Sequence, residues 1–340
     1  MKIRPIIKPV LTVFAAVAVS TYCSVAIAAP AEVEPTVAAL TVLADQGDAK
    51  AQTVLGTMYF VGQGVKQDYG VAAALFRKAA DQGYASAQAN LGMMYRKGRG
   101  VEQDYGAALG WFHKAADQGH AESQRNLGLM YANGEGVTQD YAAALSWFRK
   151  AADLGNGAAQ KNLGDMYLDG KGVPKDAAAA FSWFRKAADQ GFAPAQGKLA
   201  GMYFHGMGVP RDYAAAVSWA RKGADQGDAA AQSLLGYMYF NGKGVAKDVP
   251  AAVDLFRKAA DQGDAEAQAN LGSMYFSGTG VAQNYVQAHK WLNLSVAGAT
   301  EDKTRNFAFK LREIVTAKMT PSQIAEAQSL ASAWEEKRRQ

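Results

Sequence analysis

The side chains able to do chemistry in this sequence are few and scattered. Four histidines, His113, His120, His205 and His289, stand far apart along the chain. There is no His-Glu-x-x-His, no Cys-x-x-Cys and no acidic run of calcium-loop spacing, so no metal site is expected. Acyl transfer needs an activated nucleophile, yet neither Gly-x-Ser-x-Gly, Ser-x-x-Lys nor Lys-Thr-Gly occurs. The stretch closest to a binding loop is MYRKGRGVEQDYGAAL, Met94 to Leu109, where Gly98 and Gly100 sit among Arg96, Lys97 and Arg99. A phosphate cradle of this kind follows a strand and opens a helix with Lys and Ser/Thr. Here the middle residue of Gly-x-Gly changes through Gln63, Arg99, Glu135, Lys171, Met207, Lys243 and Thr279. A glutamate in that slot is incompatible with an anion site.

One cationic feature remains, the pairs Arg77-Lys78, Arg149-Lys150, Arg185-Lys186, Arg221-Lys222 and Arg257-Lys258. They fall at predicted helix C-termini, where the backbone dipole favours each cation by about 0.3–1 kcal/mol. Each Lys also has an Asp three residues on, as Lys78 has Asp81. The pairs therefore read as a solvated, self-paired face, and no nucleic-acid partner is expected.

The elements that position these residues repeat. Leu-Gly occurs at Leu55, Leu91, Leu127, Leu163, Leu235 and Leu271, in a register of 36 residues that the fifth copy, Leu199-Ala200, also keeps. Tyr59, Tyr95, Tyr131, Tyr167, Tyr203, Tyr239 and Tyr275 follow in step, and a Gly-x-Gly-Val follows each of them. Seven copies at this period predict a solenoid of helical hairpins. Ala51, Leu55 and Tyr59 form one stripe of a first helix. Asp68, Asp104, Asp140, Asp176, Asp212, Asp248 and Asn284 stand where they would cap the second. Gly83, Gly119, Gly155, Gly191, Gly227 and Gly263 close it as C′ glycines. The glycine of Leu-Gly, opposite an Ala present in every second helix (Ala72 to Ala288), is expected to let two backbones approach. Gly98 and Gly100 become turn glycines, with Val101 inward and Asp104 capping.

The ends differ. Lys2, Arg4 and Lys8, the apolar run from Val10 and the small-x-small Ala26-Ile27-Ala28 predict a cleaved export signal over 1–28. The run is short and diluted by hydroxyl residues for an uncleaved anchor. Removing it takes Cys23, the only cysteine, and lowers the formal net charge from +5 to +2. A capping helix is expected within 29–47, repeats over 48–299 and two closing helices within 300–340. The fold class is thus all-α, an α/α superhelical solenoid of about seventeen helices.

The pattern A-x-x-x-L-G-x-M-Y-x-x-G-x-G-V-x-x-D-Y-x-x-A-x-x-W-F-x-K-A-A-D-Q-G resembles the Sel-one-like repeat family, relatives of the tetratricopeptide repeats. The resemblance implies a protein–protein interaction scaffold, often in exported or envelope-associated bacterial proteins. Some cysteine-rich members are linked to β-lactam binding, but their cysteine pairs are missing here. By similarity to tetratricopeptide repeats, variable first-helix residues would line a concave groove. These are Asn90, Arg96, Lys97, Arg125, Asn126, Asn133, Lys161, Asn162, Asp165 and Asp169 in copies two to four. In copies five to seven they are Phe204, His205, Tyr237, Phe240, Asn241, Asn270 and Phe276. Asn90, Asn126, Asn162 and Asn270 share a slot and either bond a partner's backbone or bond within the scaffold. The aromatics either anchor a partner or pack between units.

The expected function is a non-enzymatic, monomeric scaffold, periplasmic or secreted, that binds a protein or peptide without a cofactor or membrane insertion. The alternatives are an envelope enzyme acting on peptidoglycan or β-lactams, and a polysaccharide binder. An acid/base carboxylate pair in a closed pocket would favour the enzyme. Copy five departs most, with Ala200 for Gly, Ala220 for Phe and Gly223 for Ala, so a weak joint or altered curvature is expected around Leu199 to Gly223.

Overall fold

The computed structural model describes residues 36–339. The export signal predicted over 1–28, Cys23 and the stretch 29–35 lie outside the described residues. Among the described residues there are seventeen α-helices and no strand. A capping helix α1 (Val37–Asp45) precedes seven hairpins. Their first helices are α2 (Ala49–Val61), α4 (Ala85–Lys97), α6 (Ala121–Asn133), α8 (Gly157–Asp169), α10 (Ala193–His205), α12 (Ala229–Asn241) and α14 (Ala265–Ser277). Their second helices are α3 (Tyr69–Asp81), α5 (Tyr105–Asp117), α7 (Tyr141–Asp153), α9 (Ala177–Asp189), α11 (Tyr213–Asp225), α13 (Val249–Asp261) and α15 (Tyr285–Gly298). α16 (Asp302–Thr316) and α17 (Pro321–Arg339) follow. The chain divides into two compact units, one ending at Met166 and including Gly170–Pro174, the other made of Tyr167–Asp169 and the chain from Lys175 on. The architecture is an α/α solenoid in class.

Within each unit one hairpin explains the rest. Gly98 takes the left-handed conformation at the end of α4, and Arg99 N–H bonds the Met94 carbonyl at 3.1 Å. Asp104 then caps α5 by accepting from Ala107 N–H at 2.9 Å. The second glycine of each loop does more than turn the chain. A Cβ at Gly136 would lie 2.6 Å from Tyr105 Cβ, and one at Gly172 would lie 2.7 Å from the Tyr141 carbonyl oxygen. From the second copy on, each loop is thereby pressed onto the start of the preceding hairpin's second helix, while Gly64 of the first meets Val37 of α1.

The Leu-Gly glycine seats a ring rather than simply facing Ala. A Cβ at Gly92 would come 3.0 Å from the Phe112 ring, at Gly236 3.1 Å from Phe256, and at Gly272 2.7 Å from Leu292. The carbonyl of the conserved-slot alanine is the second contact, 3.3 Å for Ala108. In copy five the two partners change together. Ala200 replaces the glycine, Ala220 replaces the ring, and both are 0% exposed. Gly223 also brings backbones together, since a Cβ there would meet Ala231 Cβ at 2.8 Å. Copy five thus loses a ring and gains one methyl, and Ala200 and Ala220 share the same buried cluster.

A buried glutamine ladder holds successive hairpins. Gln52, Gln88, Gln124, Gln160, Gln196, Gln232 and Gln268 recur three residues into the first helices and are buried. Each amide nitrogen donates to a carbonyl near the end of the helix before it, Gln88 to Ala80 at 3.2 Å and Gln268 to Ala260 at 3.1 Å. Within each unit the side-chain oxygens of Gln52, Gln88, Gln196 and Gln232 accept from the Gln of the later Asp-Gln-Gly, Gln118 to Gln88 at 2.8 Å and Gln262 to Gln232 at 2.9 Å. Two oxygens lack a partner, those of Gln124 and Gln268. They belong to the copies in which Leu154 and Gly298 replace that second glutamine.

Candidate protein-binding surface

The variable first-helix residues occupy different environments in the two units. In the first, most charges are already paired. Arg96 binds Glu135 with two bonds, Nε to Oε2 at 2.6 Å and Nη2 to Oε1 at 3.1 Å, and the side chains are only 11% and 22% exposed. Asn133 adds a bond to Glu135 at 2.9 Å. The Arg96 guanidinium, more than any other neighbour, holds the Glu135 carboxyl below the usual carboxylate range. Arg125 pairs with Glu122 at 2.5 Å, and Glu122 also accepts from Asn156 at 3.1 Å. Lys161 pairs with Asp165 at 2.5 Å. Lys97, at the end of α4, is exposed.

The shared asparagine slot divides. Asn90 and Asn162 are half-buried, whereas Asn126 is 2% exposed and lies beneath the surface rather than on it. The expectation that Asn126 faces a partner is corrected accordingly. Asn126 Oδ1 and Asn162 Nδ2 have no hydrogen-bond partner among the described residues, so these atoms are not bonded within the scaffold.

The second unit carries the aromatics. Phe204 is half-buried and its ring touches His205 at 4.9 Å, Tyr213 at 5.3 Å and Tyr237 at 5.7 Å between centroids. Tyr237 is 40% exposed, and Asn241 donates to its carbonyl at 2.9 Å. Arg211 and Lys243 stand over the Tyr213 ring at 5.4 and 5.7 Å. Phe240 is half-buried with Lys247 over its ring at 5.7 Å, and half-buried Phe276 meets Tyr285 at 6.0 Å. Asn270 is half-buried and His205 exposed.

A coupling between adjacent copies was not legible along the chain. The eleventh-offset residue of one first helix meets the Gly-x-Gly middle residue of the next copy. Arg96 meets Glu135, and Phe60 lies 5.9 Å from the Arg99 guanidinium. The variation in that loop slot thus answers to a neighbour 39 residues away. The cations near the ends of the second helices also find other partners than the nearby Asp. Lys114, Lys150, Lys186 and Lys222 lie 4.0–4.2 Å from the rings of Trp111, Trp147, Trp183 and Trp219. Arg77 and Arg221 donate to the Tyr95 and Tyr239 hydroxyls.

Among the described residues no group of three His, Cys, Asp or Glu side chains could hold a metal. His120 caps α6 through Nδ1, accepting from Ser123 N–H at 3.2 Å, and burial lowers its pKa. Burial, then Arg312, lowers that of His289, whose Nδ1 is unpartnered. Burial raises the pKa of Asp264, but this carboxylate is the cap of α14, accepting from Ala267 N–H at 2.7 Å. It is committed to the scaffold.

The Sel1 repeat model matches the chain seven times in succession, over 49–84, 85–120, 121–156, 157–192, 193–228, 229–264 and 265–298. The chain belongs to the Sel1 repeat family. A solved Sel1 repeat protein from Oxalobacter formigenes is 33% identical, with 66% of this chain and 91% of that one covered and a TM-score of 0.61. A protective antigen of uropathogenic Escherichia coli strains, described as displaying an SLR fold, is 32% identical over 88% of this chain and 79% of its own, at a TM-score of 0.41. No curated protein matches. Sel1 repeat solenoids are in general protein-interaction scaffolds, typically without enzymatic activity. No described helix is long and apolar enough to cross a membrane.

Proposed function

We propose that this Sel1 repeat protein is an exported, non-enzymatic and monomeric scaffold whose first-helix surface binds a segment of another protein. The observation that carries the reading is Tyr237, a large ring left 40% exposed against Phe204 in a helix whose other bulky residues are packed inward. Buried aromatic anchors supply most of the energy in protein interfaces, and rings exposed in the free chain are where such burial is gained. The first unit, taken by itself, offers polar side chains on its own first helices, Asn90, Lys97 and Asn162, beside the ion pairs of Arg96, Arg125 and Lys161. Export to the periplasm or beyond follows from the residues 1–28 read as a signal, and the partner is accordingly an envelope or extracellular protein.

The test is capture from an envelope fraction by the mature chain, compared with Tyr237→Ala/Phe240→Ala of unchanged helicity. Loss of the captured protein supports the reading. Undiminished capture overturns it, and a fractionation that finds the protein only in the cytoplasm overturns export.

A further inference from the structure

We infer that the bare turn at Gly201 is a socket for an aromatic side chain carried by an acidic peptide. The inference rests on the first-helix surface being a docking face. Glycine inside a helix is destabilising relative to alanine, so each one needs a reason. Gly56, Gly92, Gly128, Gly236 and Gly272 have one, a ring or leucine against the Cα. Gly201, like Gly110 in α5, has no such contact, since a Cβ there meets nothing within 4 Å and its φ lies outside the left-handed region, but only Gly201 lies on a first helix beside an aromatic cluster. The same slot holds Thr57, Met93, Leu129, Asp165, Tyr237 and Ser273 in the other copies, so only α10 leaves it empty.

The open space has aromatic walls. Phe204 lies three residues after Gly201 on the same helix, so its ring flanks the open turn without filling it. α12 packs on α10, and its Tyr237, in the slot matching Gly201, turns its ring edge-on to Phe204 at 5.7 Å. Tyr213 and His205 extend the cluster. An incoming ring over Gly201 would reach these rings at the offset and edge-on spacings that aromatic groups prefer.

The rim is cationic. Arg211 and Lys243 stand over Tyr213, and neither has a carboxylate partner among the described residues. Residues flanking the incoming ring are therefore Asp or Glu. A sugar would also stack on Tyr237, but a neutral sugar carries no charge for Arg211 and Lys243 to pair with. A peptide fits better.

The probe is a dye-labelled Glu-Asp-Phe-Asp-Glu peptide, its binding to the full mature chain followed by fluorescence anisotropy. Versions with Ala for Phe, or Lys for the acids, are expected to bind about tenfold more weakly or worse. Gly201→Leu fills the socket and is expected to lose at least about tenfold in affinity while its melting midpoint holds or rises. Tyr237→Ala removes one wall at an exposed position and reads the same socket if the leucine disturbs folding. The socket is overturned if the parent peptide does not bind, if the Lys version binds as well, or if either variant binds like wild type. Displacement by a chito-oligosaccharide but not by excess unlabelled peptide overturns it in favour of a glycan. Should Tyr237→Ala/Phe240→Ala abolish partner capture while Gly201→Leu does not, the docking face stands and the socket alone falls.

Discussion

Arg96 sits where a partner contact is expected, yet its charge is spent inside the molecule on Glu135. A two-bond guanidinium–carboxylate pair at this low exposure is stronger than a surface ion pair, and removing one member strands the other. Arg96→Ala is expected to destabilise the protein by about 1–3 kcal/mol, read from urea midpoints. The pH dependence follows from the lowered Glu135 pKa. The folded state prefers the ionised carboxyl, so the pair's contribution is complete above the ordinary value of 4.5 and fades as pH falls through the lower folded value. Wild type should therefore lose this increment on acidification, while Glu135→Gln and Arg96→Ala should each show a flatter acid limb. Equal acid limbs in all three proteins would show that the pair contributes nothing.

At the scale of elements, the hairpins are joined by the glutamine ladder, and its two broken rungs are informative. Gln124 keeps its bond to the Ala116 carbonyl at 3.2 Å, but its own oxygen is left without a donor. The residue that supplies that donor in other copies is here Leu154, 56% exposed and so of little use to the core. A buried acceptor without a donor costs roughly 1–3 kcal/mol, and a restored bond returns part of it. Leu154→Gln is expected to stabilise the protein by about 1 kcal/mol, with the same change abolished in a Gln124→Leu background. A Leu154→Gln gain that persists without Gln124 would trace it to solvation of the surface instead.

For the whole molecule, the repeat class was legible because Leu, Tyr, the Gly-x-Gly loop and the capping Asp return at one period, each tied to a local backbone need. The ladder was legible in principle, since Gln52 through Gln268 return at the same period behind Ala or Ser, but a polar side chain gives no sign along the chain that it is buried. The pairing of Arg96 was not legible because its partner becomes adjacent only once two helices are set side by side. Copy five was legible as a departure, and the structure adds that Ala200 and Ala220 lie in one buried cluster. In a solenoid, stability is close to a sum of hairpin and nearest-neighbour terms. Ala220→Phe should drive a ring into the Ala200 methyl, as a Cβ at Gly92 would meet Phe112 at 3.0 Å, and cost about 1–3 kcal/mol. Ala200→Gly in the same chain should recover most of that cost, the signature of two residues in contact. Amide exchange in Ala220→Phe should quicken in α10, α11 and α12 and stay unchanged in α2, α3 and α4. Equal acceleration in every helix would show that the chain unfolds as one cooperative body, and a cost that Ala200→Gly leaves untouched would separate the pair.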